Sequence, residues 1–457
     1  MSTHPQLKDL LEQAAETVLP AEVPRDTWHR GRRRHRRSLA LRAAAVVGVV
    51  ALVAVSPGLL DRATDRSAPQ PAGDGLSSLG LPDRLHSVPE RMSDRDDDGA
   101  WLREEVTADL AVGPAAAAWV TPGGLPVLVD AADGGYHLLD LPDFLISSSL
   151  VSTWLPGDAV PLALSPDGTR LAYGYARPAT DDGTAVPSGL RVVDLRTGEV
   201  GRDVPLGGGA GVAVTQVSWS PDGSWLAWTG VSTSYWTSSA LTGRTAVAGT
   251  VAPDGTQQRL EAGSTAFVDD DGAGAVLTNG QVRVHRPDGS RSARRATGLP
   301  AANDSGALAP DGSRLAVGTS AAADLVVLRL DRDELSTRSG EAPDGGTWSA
   351  RPLGWVGEAV LVERTPADGG AGRLSLVPVD GDRPARDVAA LDGGVGPLSV
   401  ATDLVTEQRP TVSRPAPDWP WSEERWVLTV GLGGLGLLVA GGLAWLVRRR
   451  AQRRSAR

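Results

Sequence analysis

A recurring hairpin is the feature that most restricts how this chain of 457 residues can fold. Its clearest copies are LALSPDGTRLAYG at 162–174, VSWSPDGSWLAWTG at 217–230 and ALAPDGSRLAVG at 307–318. Each copy joins two apolar, strand-like runs through a Pro-Asp-Gly turn. Pro fixes φ, Asp bonds to nearby backbone N–H groups, and Gly adopts a positive φ. Each copy therefore predicts a β-hairpin.

Weaker copies extend the repeat along the chain. The first turn residues of all the copies lie 40–55 residues apart, at Pro122, Pro166, Pro221, Asp270, Pro310 and Val356. Strand-like segments that recur about every 40–50 residues without a helical pattern indicate the blades of a β-propeller. A second hairpin follows in four of the repeats, at 189–200, 280–292, 325–335 and 373–385. Two hairpins make a blade of four strands.

The number of blades depends on what the two flanks of the repeat do. Six turns are visible, and strand-like segments remain at 101–112 and 395–406. Strands from the two flanks can combine into one further blade and so close the ring. The sequence therefore predicts an all-β fold, a β-propeller of six or seven blades, with seven favoured.

The turn motif also carries a resemblance to a known family. An SPDG-type turn is followed by a strand such as LA-aromatic at 165–173 and 220–228, and a close variant lies at 309–317. In these residues the chain resembles the TolB-like, WD-repeat-like propellers over about 115–390. The resemblance implies a platform for protein interactions. Some such propellers are the non-catalytic domain of serine peptidases, but this chain has neither a hydrolase domain nor a GxSxG elbow, so that implication does not carry over.

Two apolar segments predict transmembrane helices that flank the propeller. Residues 39–60 and 426–447 each span 22 residues, close to the ~20 that cross a bilayer. RGRRRHRRS precedes the first segment and RRRAQRRSAR follows the second, so the positive-inside rule places both ends in the cytoplasm. The first segment is uninterrupted only from Ala43 to Val55, which leaves a cleaved signal peptide as the alternative to a retained anchor.

These segments divide the chain into seven parts. The predicted order is a cytoplasmic arm with a short amphipathic helix and an Arg cluster (1–38), helix 1 (39–60), a linker (61–84), the extracytoplasmic propeller (85–407), a Pro/Trp-rich linker (408–425), helix 2 (426–447) and a basic cytoplasmic tail (448–457).

The distribution of charge agrees with this topology. The net charge is −10 overall, but residues 61–425 carry 30 Arg and 50 Asp or Glu. Such an acidic exterior excludes nucleic acid as a partner there, whereas the Arg-rich ends suit anionic inner-leaflet lipids. The use of Arg in place of Lys, with many Gly, Ala and Pro, indicates a GC-rich bacterial genome, such as an actinobacterial one.

One segment matches a calcium-loop pattern. In DRDDDGAWLREE, Asp94, Asp96 and Asp98 occupy the first, third and fifth positions and Glu105 the twelfth, the spacing of an EF-hand loop. The alternative is a solvated acidic loop, which we favour because nearby prolines leave little room for an entering helix. We therefore assign no metal-binding residues.

Other chemistry has little support in the sequence. Zero Cys excludes disulfides, thiolate metal sites and cysteine nucleophiles, and no phosphate-binding Gly loop is present. The exported His residues are too scattered for a metal site. Asp167, Asp222 and Asp311 are interpreted as turn residues around a ring. Trp219, Trp225 and Trp228 in one hairpin either form an exposed ligand-stacking cluster or pack in the core, and the core is favoured.

The prediction for function is a non-catalytic module at the bacterial cytoplasmic membrane. Its outer propeller would bind an envelope protein or a small ligand in a sensing or scaffolding role, without a cofactor and without catalytic residues. One alternative is a regulator similar to membrane-anchored anti-sigma factors, in which residues 1–38 bind a cytoplasmic protein. A second alternative is an envelope hydrolase with its site in the propeller mouth.

Overall fold

The computed structural model describes residues 79–419 except 97–99, 145–160, 178–185, 208–209, 237–240, 279–280, 296–304, 319–324, 332–333, 339–347, 381–382, 407, 409 and 418. Both predicted membrane helices, the 1–38 arm and the basic tail lie outside these residues. Within the described part, no helix is long and apolar enough to cross a membrane.

Six antiparallel sheets, here called blades 1 to 6, surround a central channel in the described part of the chain. The strands of each blade are given from the channel outwards. Blade 2 comprises Leu162–Leu164, Arg170–Ala176, Ser188–Asp194 and Val200–Pro205, and blade 3 comprises Gly211–Trp219, Leu226–Thr233, Thr245–Val251 and Gln257–Leu260. Blade 4 comprises Thr265–Val268, Gly274–Thr278, Gln281–His285 and Arg291–Arg295, and blade 5 comprises Gly306–Leu308, Arg314–Gly318, Leu325–Arg329 and Glu334–Arg338.

Blades 1 and 6 each have a fifth strand. Blade 6 comprises Trp348–Val356, Ala359–Pro366, Gly372–Pro378 and Arg386–Leu391, with Arg84–Leu85 parallel to the last of these. Blade 1 comprises Ser399–Val400, Ala115–Val120, Pro126–Asp130, Tyr136–Leu139 and the parallel strand Val106–Thr107. The remaining elements are the ribbon of Tyr235–Trp236 with Leu241–Thr242 and the 3-10 helices Glu90–Ser93 and Thr402–Leu404.

The favoured count of seven blades is therefore wrong, and blade 1 shows why. The segments 101–112 and 395–406 do combine from the two flanks, but they add to the sheet of 115–139 and do not build a sheet of their own. Ser399 pairs with Ala118 along the inner edge of blade 1. Ring closure needed only one inner and one outer strand, and strand-like character in the sequence does not reveal which sheet a segment joins.

The turn motifs have the predicted hairpin role, with one difference in register. The turns at Pro166, Pro221, Asp270 and Pro310 all join the innermost strand of a blade to its second strand. The turn at Pro122 joins the second and third strands of blade 1, because the innermost strand of that blade comes from the far end of the sequence. The predicted second hairpins are confirmed as the two outer strands of blades 2, 4, 5 and 6.

The meander gives the ring two different ends. Connections between first and second strands, and between third and fourth strands, lie at one end, which we call the turn face. Connections between second and third strands, and from each blade to the next, lie at the other end, the loop face. Turn-face connections such as 165–169 and 252–256 are short, whereas the loop-face connection from blade 1 to blade 2 runs from 140 to 161.

The two ends of the described propeller meet at the turn face. Pro82 and Val412 form a parallel bridge, and the Val412 N–H donates to Leu81 O at 2.7 Å. The N–H of Gly80 and the guanidinium of Arg414 both donate to the carbonyl of Ala131, which begins the turn-face connection 131–135 of blade 1. The two ends of the described propeller thus lie next to each other at the turn face.

Apolar clusters fill the spaces between successive blades. Blades 2 and 3 share one cluster around Leu190, Val214 and Leu226, and blades 4 and 5 share another around Phe267 and Leu315. Trp228 is 6% exposed in the first of these clusters. Trp219 and Trp225 are only partly buried, the first against this cluster and the second against the one between blades 3 and 4. The favoured core interpretation thus agrees with the structure for Trp228.

Candidate functional site

The central channel is the candidate site, because all six innermost strands contribute to its wall. It contains a cavity of about 190 Å³. The wall includes hydroxyl residues from four blades and three aromatic residues, namely Thr215, Ser218, Ser220, Ser264, Thr265, Ser305, Ser399, Thr402, Trp219, Phe267 and Trp355. Arg351 is the charged residue on this wall within the described part of the chain.

Some of the polar side chains on the wall hold neighbouring blades together. An innermost strand has one edge that no further strand covers, so its backbone groups need other partners. The Ser399 hydroxyl of blade 1 accepts from the N–H of Leu164 in blade 2 at 2.8 Å. Ser218 of blade 3 donates to Ala266 O at 3.0 Å, and the Gln216 amide oxygen accepts from Ala266 N. These hydroxyl and amide groups therefore form hydrogen bonds between neighbouring blades.

Two tryptophans on the wall connect blades in the same way. The indole N–H of Trp219 donates to Ala163 O in blade 2, and that of Trp355 donates to Ala307 O in blade 5, both at 3.0 Å. An arginine of the preceding blade lies 4.7 Å from each ring centroid, Arg170 in the first case and Arg314 in the second. The repeated contact stabilises the seams between blades 2 and 3 and between blades 5 and 6.

The charge on the channel wall is compensated locally. Arg351 Nη1 donates to Glu363 Oε2 at 3.2 Å and to the carbonyl of Leu398 at 2.8 Å. Glu363 is 4% exposed and also accepts from the Leu398 N–H at 3.1 Å. Because the two side chains form an ion pair, the channel presents no net charge from this residue. The pair also connects blade 6 to the strand that closes blade 1.

Thr265 differs from the hydroxyl residues that form hydrogen bonds between blades. It begins the innermost strand of blade 4, lines the cavity and is 1% exposed. Its Oγ1 atom has no hydrogen-bond partner among the residues that the structure describes. A buried hydroxyl without a partner destabilises a protein by about 1–3 kcal/mol. The Oγ1 atom itself has less than 1 Å² of accessible surface, so it is not presented to the cavity.

The turn-face aspartates act as turn residues, as predicted. Asp167, Asp222 and Asp311 each accept a backbone N–H two residues further along, at 2.9 to 3.1 Å. Burial alone would raise the pKa of each carboxyl, but these hydrogen bonds outweigh it and hold the pKa below its ordinary value. The three side chains lie on three different blades and do not converge on one site.

Asp270 is the exception at this face. Its carboxylate accepts from the Asp222 N–H at 2.8 Å, and its own N–H donates to Pro310 O at 3.3 Å, so it connects blades 3, 4 and 5. Burial, followed by the nearby charge of Asp222, raises the pKa of Asp270 to about 6. Burial also raises the pKa of the adjacent Asp269, whose Oδ1 accepts from Ala273 N at 2.7 Å.

The calcium-loop segment folds as a short hairpin. Backbone hydrogen bonds join its two arms, and Asp94 pairs with Arg103 at 3.6 Å. Asp96 lies in the same hairpin, Glu105 is exposed, and Asp98 lies outside the described residues. In the described part of the chain, no group of three His, Asp or Glu side chains is arranged to hold a metal ion. Calcium binding by this segment stays a prediction.

Comparison with known proteins gives structural neighbours only. No protein-family model and no curated protein matches the chain. Similar solved structures include TolB from Acinetobacter baumannii, with 17% identity over 64% of this chain and 68% of that chain and a TM-score of 0.33. A chain of the mitotic checkpoint complex has 12% identity over 56% and 84%, with a TM-score of 0.34. An acylaminoacyl peptidase in complex with a chloromethyl ketone has 13% identity over 58% and 41%, with a TM-score of 0.36. TolB, whose group the turn motifs resemble, is thus among the structural neighbours. The number of six blades is taken from the strand pairing of this chain itself.

Proposed function

We propose that this chain is a non-catalytic binding module held at the outer side of a bacterial cytoplasmic membrane by two anchors. The observation that carries the proposal is the pairing of Leu81 and Pro82 with Val412. Two apolar segments, 39–60 and 426–447, flank a propeller whose described ends lie next to each other. The linkers between these adjacent ends and the apolar segments give both segments the reach to enter the same bilayer.

The same contacts support one orientation of the propeller in this proposal. Its described ends lie next to the turn-face connection 131–135, which favours the turn face towards the membrane and the loop face away from it. The turn face is built from short turns whose aspartates bond to their own backbone. Longer connections, which carry binding functions more often than short turns, lie on the loop face. The loop face is thus the surface offered to an envelope protein.

Reporter fusions to the full-length chain test the topology. Alkaline phosphatase, which is active only outside the cytoplasm, is expected to be active when inserted after residue 76 and inactive when fused after residue 457. Deletion of residues 1–60 or of residues 426–457 alone should leave the protein in the membrane fraction, whereas the double deletion should release it. Activity of the 457 fusion, or release by a single deletion, would contradict two anchors.

Photo-crosslinking tests the orientation with a matched pair of positions. Asp368 on the loop face and Asp254 on the turn face are both exposed and both accept a backbone N–H two residues further along. A crosslinking amino acid at 368 should capture a discrete envelope protein in intact cells, and the same residue at 254 should not. Capture from 254 alone would reverse the proposed orientation.

The regulatory alternative depends on residues 1–38, which lie outside the described residues, and it stays a prediction. The hydrolase alternative is tested by activity assays of the same full-length protein.

A further inference from the structure

His285 is a buried titratable side chain that lies outside the channel. It ends the third strand of blade 4 and is 2% exposed. Its Nε2 atom has no hydrogen-bond partner among the described residues. The other two histidines of the described chain differ, because His86 lies 3.2 Å from the carboxylate of Asp392 and His137 is only half-buried. His285 thus combines deep burial with the lack of a described carboxylate partner.

The charged groups next to His285 on blade 4 are cationic. Arg291 lies directly opposite His285 on the fourth strand, and Arg283 lies two residues earlier on the same strand and the same face. Glu261, in the connection from blade 3, pairs with both guanidiniums, at 3.6 Å for Arg291. One carboxylate therefore already compensates two cations, and a protonated His285 would add a third.

The other packed elements offer no charge that would stabilise a protonated ring. The residue opposite His285 on the second strand is Gly274, which the side chains of Leu260 and Thr250 of blade 3 approach closely. Neither of these side chains is ionisable. Thr250 Oγ1 is a second buried polar atom without a described partner on this side of blade 4. The seam between blades 3 and 4 is thus poorly hydrogen-bonded at this end.

The carboxylates of the adjacent turns are directed elsewhere. Asp288, in the turn 286–290, accepts from the Ser290 N–H at 2.7 Å, and Arg286 adds another positive charge to that turn. In the turn 269–273, Asp269 lies against Gly312 of blade 5 and Asp270 accepts from the Asp222 N–H of blade 3. These described contacts leave none of the three carboxylates bonded to His285.

These surroundings disfavour a charged imidazole. Burial, followed by the charges of Arg291 and Arg283, lowers the pKa of His285 from its ordinary value of 6.5. The folded protein therefore keeps this ring neutral at a pH at which a histidine in water takes up a proton. Any state in which the ring reaches water binds more protons than the closed state does. The contribution of the closed seam to stability is thus present above pH 6.5 and is lost as the pH falls below it.

The outer hairpin of blade 4, residues 281–295, is the part that can release the ring. No further strand covers its fourth strand in the described chain, whereas the fourth strands of blades 1 and 6 each have a parallel strand beside them. The hairpin is attached through its pairing with Gly274–Thr278, the partly exposed ion pairs of Glu261, and two valines that pack against blade 5. Edge elements of this kind open locally without unfolding of the whole protein.

We propose that residues 281–295 are an acid-sensitive element of the propeller, which opens in mildly acidic solution because opening lets His285 bind a proton. Opening uncovers the outer edge of Gly274–Thr278, so the surface that the propeller presents differs between neutral and acidic conditions. The proposal does not depend on membrane anchoring, which the reporter fusions test separately.

Hydrogen exchange of the full-length protein, followed by mass spectrometry at pH 7.5 and pH 5.5, tests the opening. Each rate is divided by the intrinsic exchange rate at the same pH, which gives a protection factor. A ring with the ordinary pKa of about 6.5 in the open state raises the open population by up to about tenfold between the two pH values. Protection of 281–295 should fall accordingly at pH 5.5. The outer hairpin of blade 2, residues 188–205, contains no histidine and should keep its protection.

Two variants assign the effect to His285. His285→Gln cannot take up the proton, so protection of 281–295 should no longer fall at pH 5.5. His137→Gln is the matched control, because His137 lies in the fourth strand of blade 1 and is half-buried, and this variant should respond to pH as the unchanged protein does. If His285→Gln does not fold, His285→Leu replaces it, since leucine removes both the titrating group and the unpartnered nitrogen.

Three outcomes overturn the proposal. The first is protection of 281–295 that is the same at both pH values. The second is an equal fall in 188–205, which would show that the whole ring opens. The third is a folded His285 variant that responds to pH as the unchanged protein does, which would assign the effect to another group. If neither His285 variant folds, the comparison of 281–295 with 188–205 decides the case.

Discussion

The elevated pKa of Asp270 makes the stability of the ring depend on pH. Asp270 lies at the turn face between blades 3, 4 and 5, where its carboxylate accepts from the Asp222 N–H. Burial and the nearby Asp222 charge raise its pKa to about 6 from its ordinary value of 3.8. The folded protein therefore holds this proton more tightly than the unfolded chain does. The contribution of Asp270 to stability falls as the pH rises from about 4 to about 6 and then stays at its lower level.

The magnitude follows from the shift and the exposure of the group. A shift of about two pKa units corresponds to roughly 3 kcal/mol. Asp270 is only partly buried, and solvent screening reduces that figure to about 1 kcal/mol. Asp270→Asn keeps an oxygen to accept the Asp222 N–H and removes the charge. We expect this variant to be about 1 kcal/mol more stable than the unchanged protein at pH 7.5 and to lose most of that gain at pH 4.5.

Urea unfolding followed by Trp fluorescence measures the effect. The matched control is Asp288→Asn, because Asp288 is an exposed turn-face residue of blade 4 whose pKa is held below its ordinary value by hydrogen bonds from Ser290. Asp288→Asn should not increase stability at pH 7.5. An equal gain in both variants would attribute the effect to relief of the net negative charge and refute the local explanation. A gain for Asp270→Asn that did not depend on pH would refute it as well.

Two further predictions concern the seams of the ring, and thermal unfolding measures both. Glu363→Gln leaves Arg351 without its counter-charge on the channel wall and should destabilise the protein by about 3 kcal/mol, whereas Glu358→Gln, at an exposed ion pair, should change stability by less than about 1 kcal/mol. Gly168→Ala and Gly255→Ala both place a side chain at a positive φ, of 73° and 88°. Only the Cβ at 168 meets the backbone of blade 1, so that variant should lose at least about 1 kcal/mol more. Equal losses within either pair would contradict the contacts assigned here.

The sequence was informative wherever a local pattern determines a local structure. The Pro-Asp-Gly turns predict hairpins because their backbone angles are determined by the turn residues themselves, and Gly168, Gly223 and Gly312 do adopt positive φ. Four second hairpins followed from the same reasoning. The aspartates in these turns could be interpreted as structural because repetition distributes them around a ring.

The parts that could not be predicted depend on contacts between distant segments. Ser399 and Ala118 are paired in space but far apart in the chain, and nothing in either segment indicates that they share a sheet. The channel is a stronger case, because its wall combines residues of six innermost strands that are far apart in the chain, from Leu162 to Ser399. Trp219 and Trp355 carried a weak signal, since each lies near the end of an innermost strand and just before a turn.

Blade 1 is built from strands at both ends of the propeller, and this pairing also determines when the protein can close into a ring. Its innermost strand, Ser399–Val400, is among the last parts of the propeller to leave the ribosome, whereas its second strand, Ala115–Val120, is among the first. Until synthesis passes residue 400, the finished blades form an open row with an uncovered strand edge and an unfilled channel. Chains at that stage expose the surface on which aggregation begins, so they are the species that a chaperone has to protect.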